Sequence, residues 1–217
     1  MKTRTLLMMV LAVTFTVFSV QAQQNTKGLK KEIKKKAVKE ARKEAKKFKK
    51  QGYAVAPGAL PMEKQIEAAW MRQYETDEDG YPLYIVASGN SVANTTSAAK
   101  LQANELAKLE LAGSISTQVA ALIESSIANQ QLNSEEAASV TKTVAAAKNI
   151  IAQELGRTIP LFEIYKTLNN KNIEANVRIA YNSKKANEVA QRAIKKKLEE
   201  ETDIAHDKLE KLMKWDN

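Results

Sequence analysis

Two rhythms of apolar positions run along this chain, one near 3.6 residues and one of two, and the switches between them mark its elements. Tyr84, Ile85, Val86 and Ala87 form a short β-branched and aromatic run, which predicts a strand. Pro82 stands at its entry, where a missing N–H is tolerated. Ser88, Gly89, Asn90 and Ser91 then predict a turn. A helix starts between Ser91 and Thr96, where Ser, Thr and Asn side chains can cap free N–H groups. Ala99, Ala103 and Ala107 recur every four residues, so they stack as one stripe narrow enough to lie close against a sheet, flanked by Leu106 and Leu109.

The helical period continues through Gly113 to Asn129, carried by Ile115, Val119, Leu122, Ile123 and Ile127. After a polar break, Ser134-Glu135-Glu136 offers a cap and an acidic first turn for a helix bearing Val140, Val144, Ala147, Ile151 and Leu155, ended by Gly156. The two helices are expected to form an antiparallel hairpin. Two strands follow, Ile159 to Leu168 and Ile173 to Tyr181, around the turn Asn169–Asn172. In the second, Ile173, Ala175, Val177, Ile179 and Tyr181 share one face, with Glu174, Asn176 and Arg178 on the other. That alternation predicts a sheet covered by helices on one side and wet on the other. The last helix runs from about Lys184 to Lys214 behind a Ser183 cap, with Val189, Ala193, Ile194, Leu198, Ala205, Leu209 and Leu212 on its apolar side. Its outer part is charged nearly all round, which suits projection or pairing with a second copy of the chain.

Ahead of the central strand the pattern is different. Residues 1–22 read as an export signal: Lys2 and Arg4, an apolar run from Leu6 to Val20, and the small-residue site Val20-Gln21-Ala22. The apolar run is shorter than the roughly 20 residues of a membrane span. The mature protein is thus expected to begin at Gln23, in the periplasm, at the outer-membrane periphery or outside the cell. Lys27 to Gln51 reads as a basic helix with a weak, mostly alanine stripe of Leu29, Ile33, Ala37, Ala41, Ala45 and Phe48, solvated and extending from the domain. Gly52 to Pro61 holds two Pro and two Gly and breaks it. Met62 to Tyr74 is a short helix burying Ile66, Ala69, Trp70 and Tyr74. Thr76–Gly80 is an acidic turn whose spacing fails the calcium-loop pattern, since Ser88 stands where the bidentate Glu belongs.

The organisation expected is therefore a leader (1–22), a basic helical segment (23–51), a linker with a short helix (52–80), a strand–helix–helix–hairpin domain (81–183) and a charged C-terminal helix (184–217). The fold class is α+β: a small three-stranded antiparallel sheet covered by long helices, with helical extensions at both ends.

Charge sharpens this picture. The chain carries +9 overall, yet residues 27–50 alone hold 13 Lys or Arg against 3 Glu, so the remainder behind the leader is net acidic. Lys30, Lys31, Lys34, Lys35, Lys39, Arg42, Lys43, Lys46 and Lys47 are the candidate contacts to an anionic surface such as lipid head groups. Nucleic acid would fit the charge, but export argues against it. The acidic cluster Glu199, Glu200, Glu201 and Asp203 could face this basic helix in a weak, salt-sensitive contact.

Catalytic chemistry is not legible. The chain has no Cys, which excludes disulfides, thiolate metal sites, a cysteine nucleophile and a lipidated cysteine. His206 is the one histidine, and neither a zinc ligand set nor a G-x-S-x-G elbow accompanies it. Paired carboxylates at Glu199 to Glu201 sit on a charged helix rather than in a cleft. No catalytic, cofactor-binding or metal-ligating residue is assigned, and no cofactor is expected. The alternative is a small-ligand binder or enzyme with a pocket between sheet and helices, lined by Ser88, Asn90 or Tyr165.

The phrases IVASGNSVANTTSAAKLQANELAKLELAG and FEIYKTLNNKNIEANVRIAYN, in the order strand, alanine-rich helix, helix and hairpin, resemble the Lpp-twenty-type lipoprotein domain of bacterial envelopes. Related domains begin a flagellar T-ring protein. The resemblance covers Tyr81 to Tyr181 and implies a non-catalytic, envelope-associated protein with no active site to carry over. Gln23 stands where such lipoproteins have their lipidated cysteine, so attachment to a membrane or to an envelope protein would need another cause.

Overall fold

A computed structural model describes residues 28, 31–129, 132–202 and 204–213. Residues 1–22, expected to be a leader, together with Lys30, Asp203 and residues 214–217, lie outside the described residues.

Three strands form one antiparallel sheet in the order β1-β3-β2: β1 (Tyr84–Ala93), β2 (Ile159–Thr167) and β3 (Ile173–Asn182). The alternation in β3 is as the period demands. Ala175, Val177 and Ile179 enter one core, with Ile173 and Tyr181 packed at its margin. Over that face lie α3 (Thr96–Asn129), α4 (Ser134–Glu154), α5 (Ser183–Glu201) and α6 (His206–Met213). The α3–α4 hairpin is antiparallel, with Lys148 against Gly113 and the end of α4 beside Glu105 to Leu109. By length and composition alone, α3 would also suit a membrane span. Here Ala99, Ala103 and Ala107 lie wholly buried, in one core with the sheet.

The expected turn at Ser88–Ser91 is strand instead, and β1 runs on to Ala93. The reason is at Gly89. A Cβ there would stand 2.0 Å from the Ala103 carbonyl oxygen and 2.6 Å from the Ala107 nitrogen. Gly89 is a contact glycine, sitting where the α3 backbone presses on the strand, and the alanine stripe is the other half of that contact.

The other face of the sheet is wet only along Ser88, Asn90 and Val92 of β1, which are exposed; the remainder is covered. A helix through residues 31–50 (α1) and α2 (Met62–Tyr74) cover it. Ala41 and Ala45 pack with Ile66, Ala69, Phe162, Ile164 and Ala180 in a second core, with Phe48, Val55, Trp70, Tyr84 and Val86 around it. The basic helix is therefore docked, not extended into solvent. A break in the β2–β3 register between Pro160 and Phe162 turns both Leu161 and Phe162 into this core. The segment after α1 also contributes: Ala54 bridges Tyr165, each N–H donating to the other's carbonyl at 2.8 Å, and closes the outer edge of β2.

The C-terminal helix differs from its prediction as well. It breaks between Glu201 and His206, and α6 folds back so that Leu209, Leu212 and Met213 join the first core. The caps shift by one residue from those expected. Asn133, not Ser134, accepts from Glu135 and Glu136 N–H, and Glu136 completes a capping box. Asn182, not Ser183, accepts from Lys185 N–H, while Ser183 Oγ donates to the Pro82 carbonyl.

Candidate functional site

The candidate surface is the outer side of α1, and its orientation follows from the inner side. Ala37, Ala41 and Ala45 are buried, and Phe48 rests edge-on against Phe162 with ring centroids 5.9 Å apart. With this stripe inward, Lys31, Lys34, Lys35, Lys39, Arg42, Lys43, Lys46 and Lys47 are all exposed. These eight are the predicted contacts that fall among the described residues. Helical spacing sets them in like-charged rows, Lys31-Lys35-Lys39-Lys43-Lys47 being one. Among the described residues, none of the eight forms an ion pair. Their neighbours Lys49 and Lys36 are engaged, Lys49 with Glu63 and Lys36 over the Tyr74 ring at 4.7 Å. A shallow groove lined by Lys31, Lys34, Lys35, Val38, Lys39 and Arg42 runs along this face. A second, between Arg42, Lys46, Lys49, Lys50 and Glu63, continues it toward α2.

What holds α1 in place is polar as well as apolar. Glu44 turns inward and takes Arg178 Nη2 at 2.7 Å and Trp70 Nε1 at 2.7 Å. Arg178 also donates from Nε to Ser88 Oγ at 3.1 Å and lies 4.7 Å over the Phe162 ring. One strand position further along, Asn90 Nδ2 donates to Glu174 at 2.9 Å and to the Tyr53 hydroxyl at 3.3 Å. Lys166 pairs with Glu174 at 2.7 Å and covers the Tyr53 ring at 4.8 Å. Burial pushes the Glu174 carboxyl up, but hydrogen bonds from Lys166, Tyr53 and Asn90 outweigh it and bring the pKa to about 2. The Tyr53 phenol is raised to about 12, first by burial and then by Glu174.

Period two sets Glu174, Asn176 and Arg178 on the second face of β3, but no local pattern shows that α1 reaches Arg178 or that Tyr53 lies against the Glu174 cluster. The signal is Glu44, an acidic residue set between Ala41 and Ala45 near the buried stripe of α1.

The structure does not bring Ser88, Asn90 and Tyr165 to one place. Ser88 and Asn90 are used by Arg178, Tyr53 and Glu174 on the exposed part of the α1 side of the sheet, whereas the Tyr165 ring packs against the opposite core and its hydroxyl meets Glu163 at 3.2 Å. The acidic cluster does not meet α1 either. Glu199 and Glu201 pair with Lys195 and Lys197 of their own helix, which lies across the sheet from α1. Asp203 falls outside the described residues. His206 is exposed, with Nε2 3.7 Å from Glu210. Among the described residues, no three His, Cys, Asp or Glu side chains gather as a metal site.

Comparison with protein-family models, with curated proteins and with solved structures finds no match for the chain.

Proposed function

We propose that this chain is a non-catalytic, exported envelope protein that docks on an anionic membrane surface through the outer face of α1. One observation carries the reading. The packing of Ala37, Ala41 and Ala45 turns eight cations outward together, and none of the eight is ion-paired to an acidic side chain among the described residues, although Glu32 and Glu40 share the helix. Like-charged rows along a helix are unfavourable by themselves. A docked helix that keeps them gains when an anionic surface lies opposite, by about 1 kcal/mol per cation near lipid head groups. The leader pattern of residues 1–22 and the resemblance of Tyr81 to Tyr181 to envelope lipoprotein domains support the same compartment. The missing lipidated cysteine makes a second means of attachment useful, and α1 supplies one by charge.

The test is co-sedimentation with neutral and with anionic vesicles, using Lys35→Gln, Lys39→Gln, Arg42→Gln and Lys46→Gln together. Removing α1 outright would expose the second core and confound the result. Binding to anionic vesicles is expected to fall steeply in the variant and in high salt. Equal binding by variant and parent would sink the proposal. Export has its own check: a protein recovered from the cytoplasm with Met1 retained would overturn that part.

A further inference from the structure

We infer that β1 is the docking edge for a second copy of this chain, joining two sheets into one. The two edges of the sheet are built differently. β2 carries Pro160, a register break, Glu163 and Lys166, and Ala54 caps its outer side. These are the devices that keep an edge from pairing with another chain. β1 has none of them. Its ten residues, YIVASGNSVA, include no charge, no proline and no bulge, and no strand lies on its outer side among the described residues.

Hydrogen-bond parity shows which groups are open. Ser183 N–H donates to the Leu83 carbonyl, and by the alternation of antiparallel pairs residues 85, 87, 89, 91 and 93 turn their backbone groups toward β3. The same parity sets Tyr165 outward on β2, where Ala54 meets it. On β1 the outward backbone groups belong to Tyr84, Val86, Ser88, Asn90 and Val92.

The strand is complementary to itself. An antiparallel copy related by a twofold at Ser88 sets outward groups against outward groups throughout. Val86 then faces Asn90 of the second copy, and Tyr84 faces Val92, an aromatic with a β-branched residue. Val92 is 45% exposed in the single chain and Leu106 is 46% exposed; one turn before Leu106 on α3, Gln102 meets Ser91 of β1. No like charges oppose each other along the strand. The twofold is perpendicular to the sheet, so both α1 helices fall on the same side. On the membrane reading above, this doubles the basic surface without a new contact. The pairing itself does not rest on that reading.

The absence of cysteine makes the test direct. In the native protein purified from cells, Ser88→Cys changes one atom and places two thiols opposite each other, about 5.5 Å apart at Cα, within disulfide range. Leu60→Cys, an exposed site on a distant loop, is the control. Under mild oxidation Ser88→Cys is expected to give a crosslinked fraction at least about tenfold above the control, because the paired edge raises its effective concentration. Crosslinking no better than the control overturns the inference. Amide exchange of unmodified protein is the second measurement. The N–H groups of Val86, Ser88, Asn90 and Val92 should slow as protein concentration rises. Fast exchange at every concentration, or slow exchange that ignores concentration because the chain covers its own edge, also overturns it. Neither measurement involves vesicles, so failure here is distinct from failure of membrane docking.

Discussion

Glu44 and Arg178 are 134 positions apart in the chain and meet at 2.7 Å, with side chains 18% and 15% exposed. The contact ties the basic helix to the central strand, and Trp70 shares the same carboxylate. Glu44→Ala leaves the guanidinium covered and the indole N–H without its acceptor. The expected loss is about 2–4 kcal/mol in urea unfolding. Replacing both partners by apolar residues, Glu44→Leu with Arg178→Met, should lose less than the sum of the single changes. Additive losses would show that the two groups do not act as a pair.

Gly89 and Gly113 both lie inside regular elements, and their substitution by alanine is expected to have opposite signs. At Gly89 the new Cβ would collide with the α3 backbone, so α3 must move off the strand. A loss of about 3–5 kcal/mol or failure to fold is expected. At Gly113 the new Cβ meets only the flexible end of Lys148, at 3.3 Å. There, alanine in mid-helix should stabilise by up to about 1 kcal/mol. Thermal melts of the two variants read both effects.

Acid should loosen the cover over the sheet. The Glu174 carboxyl is held at about 2 against an ordinary value of 4.5, so its contribution is complete above about pH 4.5 and fades as pH falls toward 2. A shift of that size corresponds to about 3 kcal/mol. Glu174→Gln should flatten this acid limb while lowering stability at neutral pH. At the alkaline end, Tyr53 and Tyr165 are both raised to about 12 from 10. Their contribution is complete below pH 10 and is lost as pH rises through 12. Urea midpoints from pH 2 to pH 12 record both limbs.

The exposed cations of α1 should be dispensable for folding. Neutralising Lys35, Lys39, Arg42 and Lys46 removes like-charge repulsion worth about 0.2–0.5 kcal/mol per pair. The variant is expected to be as stable as the parent or slightly more so at low salt, and to bind anionic vesicles less. A destabilised variant would mean that these side chains hold the fold rather than face a partner.

At the tip of the helical hairpin, Asn133 caps α4 and Glu136 serves twice, in the capping box and in a 2.9 Å pair with Lys208 of α6. Asn133→Ala should cost about 1 kcal/mol. Glu136→Ala should remove both contacts and free α6, read as faster amide exchange at Leu209 and Leu212.

Much of this protein was legible in its residues. Period two in IEANVRIAY fixed which side of β3 is apolar, and the alanines at 99, 103 and 107 marked a helix lying close on a strand. The lysine rows of α1 are a local property too, because helical spacing alone sets them side by side. Other features needed the assembled chain. SGNS carries turn residues, and only the pressing of α3 on Gly89 makes it strand. The alanine stripe of α1 is too weakly apolar to reveal whether it docks. Its place is decided by shape and by Glu44 reaching Arg178, a contact between residues far apart in sequence. Periodicity reports which side chains leave water; which surface covers them depends on the partners that folding brings together.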